Sequence, residues 1–317
     1  MEIRPVTLTL NPALDLSGSI ERLRPQHKLR CRNHRRHPGG GGINVARVLK
    51  RLGCEAVAVF PAAGVTGQML ADQLSAEGVA SIVVHTDGTT RENVTVDEES
   101  TGRQYRFVFP GPDASPKDTQ ACLDQAVEHL PSGGWLVASG SLAPGMPDDT
   151  YERLGASVGA RQGRLVLDAA GLPMRKALPH TFLLKLSEHE LEQAVGAPVF
   201  DRGRCVAGAR LLLHSGPQLI AVTRGERGAL LVSRDFALTA SAPPIVPKST
   251  VGAGDSFLAA LTWSLANRKM AADALGLAVA AGTAALLEPG TELASATEIS
   301  RLAPMVTVES LHETAIC

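Results

Sequence analysis

Two glycine-led segments hold the residue types and spacings that could do chemistry. The first is PGGGGINVARVLKRLG, residues 38–53. Four consecutive glycines strip every Cβ from a turn, so backbone N–H groups can come close to a ligand. An apolar-periodic helix starts near Ile43, with its positive dipole end at that turn. Gly40 and Gly41 lie in the turn, and Asn44 lies in the helix's first turn, placed to hydrogen-bond a hydroxyl. A flexible linker or a plain strand–helix turn is the bland alternative, but a linker rarely runs straight into so well patterned a helix. The string matches neither G-x-x-x-x-G-K-[ST] nor a dinucleotide fingerprint. The second segment is KSTVGAGDSFLAAL, residues 248–261. Gly252, Ala253 and Gly254 open a helix and form a nest of N–H donors suited to a developing anion. Asp255, just inside the helix, reads either as an N-terminal charge or as the acceptor of a hydroxyl proton beside a transferring phosphoryl group.

These segments need elements to position them. Short β-branched runs alternate with amphipathic or Ala-rich runs. Strands are expected at Val57–Phe60, Ser81–His85, Trp135–Ser139, Leu165–Asp168, Phe182–Lys185 and Leu219–Thr223. Helices are expected at Thr66–Glu77, Lys117–Leu130, Asp149–Arg161 and Arg202–His214. That alternation predicts an α/β fold with a mostly parallel sheet covered on both faces. It fails at residues 14–36 and 91–109, whose period-two patterning reads as hairpins forming a small second sheet. Gly228–Ala240 reads as another hairpin. Ser139 and Ser141, after an apolar strand, sit where ligands bind at strand carboxyl ends, or serve turn and cap chemistry.

Composition sets the bounds. The chain has 317 residues, 44% hydrophobic and 20% charged, with a net charge of −1, as in ordinary globular proteins. Five scattered cysteines form no C-x-x-C pair, which argues against structural zinc and a disulfide framework and for a reducing cytoplasm. The amino terminus carries no signal-peptide pattern. The apolar run Leu275–Leu287 is 13 residues long, too short to span a bilayer. Charge is unevenly placed: residues 22–37 hold seven Lys/Arg and no acid, leaving −8 on the rest. That segment has no aromatic residue for base stacking and alternates like a strand, so nucleic-acid binding is not expected. Arg32, Arg35 and Arg36 read as a charged strand edge that discourages edge-to-edge pairing.

The glycine-led segments resemble the two signature segments of the PfkB (ribokinase-like) family of sugar kinases. TLTLNPALD at the start, TREN near 90, SGSLAPG at 139–145 and LKLSEHEL at 184–191 agree, in order along essentially the whole chain. The resemblance implies a single ribokinase-like domain over residues 1–317, a three-layer α/β/α sandwich with a small β-sheet lid inserted at about 14–36 and 91–109. LTLNPALD, INVARVLKRLG, HKLRC and QYRFVFPG are similar to the 6-phosphofructokinase branch. So is the uninterrupted GGGG, where relatives acting on fructose 1-phosphate commonly have a lysine within the glycines. The implied reaction is ATP plus fructose 6-phosphate giving fructose 1,6-bisphosphate and ADP.

Carried over by position, the resemblance implies that Asp255 is the base and the Gly252–Gly254 amides the anion hole. Asp15 binds sugar hydroxyls, with Gly40, Gly41 and Asn44 lining the same pocket beside Ser139 and Ser141. Lys28, Arg30 and Arg91 meet the existing phosphate, which needs several charge-assisted donors; read alone, Arg91 is a solvated strand residue. Lys185, Ser187 and Glu190 match a K-x-N-x-x-E segment for Mg²⁺-ATP, with Leu186 in place of the usual proline and Ser187 in place of asparagine. Glu190 supports Mg²⁺ through water, or is a solvent-facing helix residue. Thr223, Gly225 and Gly228 resemble the turn around the nucleotide. Ser249, Val251, Ala285 and Gly290 occupy the stretches whose carbonyls bind a monovalent cation such as K⁺. The lid implies a homodimer. Kinases for tagatose 6-phosphate or fructose 1-phosphate are alternatives, as is a non-catalytic sugar-phosphate sensor, which the altered 185–187 stretch would allow.

Overall fold

The computed structural model describes residues 4–311. Its strands in chain order are β1 (Val6–Leu8), β2 (Ala13–Ile20), β3 (Arg32–Gly39), β4 (Val57–Ala62), β5 (Ala80–His85), β6 (Arg91–Glu98) and β7 (Arg103–Phe107). They continue as β8 (Trp135–Ser139), β9 (Arg164–Asp168), β10 (Thr181–Ser187), β11 (Leu219–Thr223), β12 (Ala229–Val232), β13 (Ala237–Ala240) and β14 (Val308–Ser310). Ten of them form the main sheet in the order β14-β13-β12-β11-β10-β9-β8-β1-β4-β5. The strands from β11 through β5 run parallel, and β12, β13 and β14 extend the sheet antiparallel. The expected Gly228–Ala240 hairpin is β12–β13. The short strand β14 was not legible in the sequence.

Side-chain alternation explains the layers. In β8, Leu136 and Ala138 join a core on one face with Val6, Leu8 and Leu167. Trp135 and Val137 join the opposite core with Ile43, Phe257 and Leu258. All five residues of β8 are buried, as expected of a parallel strand with helices on both faces. The apolar run at 275–287 lies largely within the helix Ala271–Ala285. No helix among the described residues is long and apolar enough to cross a membrane.

The other four strands form a separate sheet in the order β3-β2-β6-β7. Its two antiparallel hairpins join through a parallel pairing of β2 with β6. β2 follows β1 and β6 follows β5, so both hairpins leave the main sheet at its carboxyl end. The basic segment departs from the strand reading. Pro25 and Gln26, the latter at φ 61°, interrupt it, so residues 21–31 form a loop and β3 begins only at Arg32. β3 is the sheet's charged edge, and its Arg35 pairs with Glu292 of the main body.

Arg47 ties these parts together. It lies on the helix Gly41–Arg51 and is 2% exposed. Its Nε and Nη2 donate to Glu77 at 2.8 and 2.7 Å, and its Nη1 donates to the Pro38 carbonyl at 3.0 Å, holding the end of β3 against the helix. Arg47 is buried while Glu77 is exposed, so truncating Arg47 costs chiefly its packing and the charge-assisted bond to the Pro38 carbonyl, whereas exposed pairs contribute little. Urea unfolding should therefore show Arg47→Ala losing roughly 2 kcal/mol and Arg35→Ala less than about 1 kcal/mol.

Candidate active site

The carboxyl ends of the central strands open into a cleft of about 580 Å³. It lies where the chain direction switches sides, with β4 on one flank of β1 and β8 on the other, the place where open α/β sheets bind ligands. Two helices meet at its floor: Gly41–Arg51, preceded by Gly40 at φ 112°, and Ala253–Ala266, preceded by Gly252 at φ 74°. Both turns use the left-handed backbone that favours glycine. Asn44 Nδ2 of the first helix donates to Asp255 Oδ2 of the second at 2.9 Å. Behind it, Arg47 Nη1 donates to Asn44 Oδ1 at 3.5 Å, so the amide's donor end is turned to the carboxylate. Burial, and then the Asp168 carboxylate, push Asp255 up to about 6, while the Asn44 bond and the Lys185 ammonium pull it down.

Asp168 ends β9 at the centre of a polar row. It accepts from Lys185 Nζ of β10 at 3.0 and 3.2 Å and from Ser139 Oγ of β8 at 3.2 Å. Lys185 is 8% exposed. Burial, the largest influence, lowers its pKa, but the Asp168, Glu190 and Asp255 carboxylates outweigh it and hold the ammonium above its ordinary value. A Cβ on Gly254 would lie 3.1 Å from Lys185 Nζ, so the ammonium sits against the glycine turn that opens the Asp255 helix. Backbone donors and a fixed cation therefore converge beside a carboxylate of raised pKa, an arrangement suited to anion stabilisation next to proton transfer.

The small sheet lines the cleft's upper wall. Asp15 of β2 accepts from Asn93 Nδ2 of β6 at 2.9 Å. Burial raises its pKa, opposed by Asn93, Arg106 and Arg91. A Cβ at Gly39 would overlap the Asp15 carboxylate, and one at Gly41 would overlap the Ser139 hydroxyl, so the glycine run keeps this end of the cleft free of side chains. Arg91 donates from Nη1 to the Phe109 carbonyl at 3.0 Å and from Nη2 to the Asn11 carbonyl at 2.8 Å. Its buried Nε has no protein partner among the described residues. Gln104 of β7 reaches the segment before the Asp255 helix: its Nε2 donates to Ser249 Oγ at 3.2 Å, and Thr250 Oγ1 donates to its Oε1 at 3.3 Å.

The cleft thus gathers Asp15, Gly40, Gly41, Asn44, Arg91, Ser139, Ser141, Lys185, Glu190, Gly252, Gly254 and Asp255 from those the sequence singled out. Lys28 and Arg30 do not line it. The 21–31 loop carries both into solvent, because the segment turns where a continuous strand was expected. Ser187 and Glu190 form a capping box on the helix Glu188–Val195. Glu190 Oε2 accepts from Ser187 N at 2.6 Å and Ser187 Oγ at 2.8 Å, so serine at 187 has a structural role. Leu186 is a buried strand residue. Thr223 pairs in register with Ser187 at the same end of the sheet. With Gly225 and Gly228 it forms the β11–β12 turn, outside the cleft's own lining. A Cβ on Gly228 would overlap the Ala240 carbonyl.

At the proposed cation stretch, Ser249 Oγ donates to the Gly290 carbonyl at 2.6 Å and accepts from Val251 N at 3.1 Å. The Ala285 carbonyl accepts from Glu288 N at 3.2 Å. Sequence reasoning missed Asp168, Asn93, Arg106 and Gln104. Asp168 closes a strand that was expected, so the strand-end rule could have marked it. Asn93 lies inside TREN. Arg106 and Gln104 share a face of β7 by period-two alternation, but nothing in the sequence points that face at the cleft.

The comparisons with known proteins agree with this geometry. The family model described as pfkB family carbohydrate kinase matches residues 9–298. An ATP-dependent 6-phosphofructokinase isozyme 2 of Mycobacterium tuberculosis is 39% identical over 299 residues, covering 94% of this chain and 88% of that protein. A 1-phosphofructokinase of Xanthomonas campestris is 34% identical over 271 residues, covering 84% and 85%. Crystal structures of Escherichia coli phosphofructokinase-2 superpose over 96% of this chain and 99% of theirs. The potassium complex has a TM-score of 0.91 at 35% identity, and the fructose-6-phosphate complex 0.90 at 34%. The chain belongs to the pfkB family of carbohydrate kinases and is a sugar-phosphate kinase with the ribokinase-like fold.

Proposed function

We propose that this kinase transfers the γ-phosphoryl group of ATP to the 1-hydroxyl of fructose 6-phosphate. The observation that carries the reading is Asp255, bonded to Asn44 and set between the Gly252–Gly254 turn and the Lys185 ammonium. Asp255 takes the hydroxyl proton as the sugar oxygen bonds to the γ-phosphorus. The bond from that phosphorus to the bridging oxygen breaks, and ADP leaves. The Gly252, Ala253 and Gly254 amides and Lys185 balance the charge on the phosphoryl oxygens. Arg91 and Arg106 hold the phosphate already on the sugar, and Asp15 holds its hydroxyls. The glycine run carries no cation among its residues, which supports fructose 6-phosphate over fructose 1-phosphate.

The donor set fits Mg²⁺-ATP. Both hydrogen bonds to Glu190 fall on Oε2, and the residue lines the cleft, which leaves its other oxygen for a water on the metal. No group of three or more His, Cys, Asp or Glu among the described residues could hold a metal alone, so Glu190 would act together with the nucleotide's phosphates. When bound, Mg²⁺ neutralises charge on those phosphates. Thr223, Gly225 and Gly228 border the nucleotide. K⁺ would use the carbonyls around Ser249, Val251, Ala285 and Gly290, a reading supported by the potassium complex of the Escherichia coli relative. The small sheet acts as a lid, held down by Gln104 on Ser249 and Thr250. Phe107, Val108 and Phe109, 46%, 61% and 52% exposed, support a homodimer through that sheet. Among the described residues Cys31, Cys54, Cys122 and Cys205 form no disulfide, which supports a cytoplasmic enzyme, and Cys317 lies outside the described residues.

Two outcomes test the reading. Across fructose 6-phosphate, tagatose 6-phosphate and fructose 1-phosphate with Mg²⁺-ATP, kcat/KM should be highest for fructose 6-phosphate. ADP release by Asp255→Asn should fall about 10²–10⁴-fold; a higher kcat/KM for another phosphohexose would replace the substrate assignment. The second is pH. Because burial raises Asp255 to about 6, the base form is lost as pH falls through that value, and kcat/KM should fall with it. A carboxyl whose folded pKa lies above its unfolded value stabilises the fold at low pH and loses that contribution as pH rises. Asp255→Asn should therefore raise the Tm at pH 8, with the gain vanishing near pH 4.

A further inference from the structure

A second basin, of about 700 Å³, lies at the opposite pole of the main sheet. Trp135 begins β8, Arg164 begins β9 and Phe182 is the second residue of β10, so the basin occupies the amino ends of the strands whose carboxyl ends carry Ser139, Asp168 and Lys185. Four residue steps of β8 alone separate the two poles by roughly 13 Å. Among the described residues three arginines line the basin, Arg4, Arg164 and Arg268, with no acid, and none of the three forms an ion pair. Arg4 acts on the Glu55 carboxylate, which is engaged by Lys50 at 2.6 Å.

Two details set this apart from a solvated basic surface. The Arg164 guanidinium is stacked 5.3 Å from the Trp135 ring centroid and 5.4 Å from that of Phe182, over a T-shaped pair whose centroids are 5.2 Å apart. Arg164, itself exposed, is held against both rings, and among the described residues its guanidinium has no acceptor, which leaves its N–H groups for a phosphate. Arg268 closes the helix Ala253–Ala266 at φ 58°, where glycine is the unstrained choice. Three of the helix's last carbonyls are used: Trp263 O accepts from Asn267 N and Nδ2, Leu265 O from Arg268 N, and Ser264 O from Lys269 N. The Arg268 side chain contributes nothing to this cap that would justify its backbone strain.

We propose that this basin binds a small molecule bearing two or more phosphate groups, held by Arg4, Arg164 and Arg268, at a site separate from the kinase cleft. The chain's two tryptophans, Trp135 and Trp263, both report on this pole: Arg164 stacks on the first and Lys269 lies 4.5 Å over the second. Neither lines the cleft.

The test is a titration of the full chain with inorganic pyrophosphate, read by tryptophan fluorescence and by calorimetry. The parent should give a saturable fluorescence change that Arg91→Ala, which alters only the cleft, retains. Arg164→Gln and Arg268→Gly should each weaken that event by about tenfold or more, the loss of a charge-assisted contact, while keeping parental kinase turnover. Arg268→Gly should at the same time unfold at a higher temperature than the parent, which separates lost binding from lost folding. The proposal is overturned if the parent shows no saturable change, if both arginine variants respond as the parent does, or if Arg91→Ala abolishes the response.

Discussion

The hydrogen bond between Asn44 and Asp255 is the constraint on which the rest of this site depends. It joins the first turns of two helices from distant parts of the chain, each entered through a glycine with positive φ. With both helix starts held against the carboxyl ends of β8, β9 and β10, backbone N–H groups, a lysine and a carboxylate share one small volume. Arg47 extends the constraint outward. The same guanidinium that bonds Asn44 also holds Glu77 and the end of β3, so the orientation of Asp255 is tied to the seating of the small sheet.

Charge balance in the cleft follows from burial. Asp15, Asp168, Glu190 and Asp255 would repel one another in a dry site. Lys185 lowers that cost by pairing with Asp168 through both oxygens, and Arg91 and Arg106 stand on the opposite wall. Asp255 keeps the least direct compensation, one amide bond and a lysine committed to its neighbour, and its pKa rises accordingly. A fully paired Asp255 would be a weak base, and an isolated one would stay protonated at neutral pH. The observed arrangement lies between these limits.

Much of this was legible in the sequence because the signals are local. Glycine runs before patterned helices marked both helix starts, and apolar runs with β-branched residues marked the parallel strands to within a residue or two, except for the three-residue β1, which was not expected. Period-two patterning marked both lid hairpins. What the sequence left out depends on long-range placement. Asp168 looks like any acid at a strand end until Lys185 and Ser139 close around it. Arg106 lines the cleft and Gln104 reaches Ser249 and Thr250 only because β2 pairs in parallel with β6, a pairing no local pattern encodes. Lys28 and Arg30 went the other way: Pro25 and Gln26 break the strand before them, a turn signal that the run of basic residues masked.

Asp255 owes its raised pKa to burial and its usable range to Asn44. An NMR titration of the Asp255 carboxyl carbon in the parent chain and in Asn44→Ala tests this. The midpoint should lie near 6 in the parent and higher in Asn44→Ala, because the amide bond favours the ionised form. A parental midpoint at the ordinary aspartate value, or one that Asn44→Ala leaves unmoved, would contradict it.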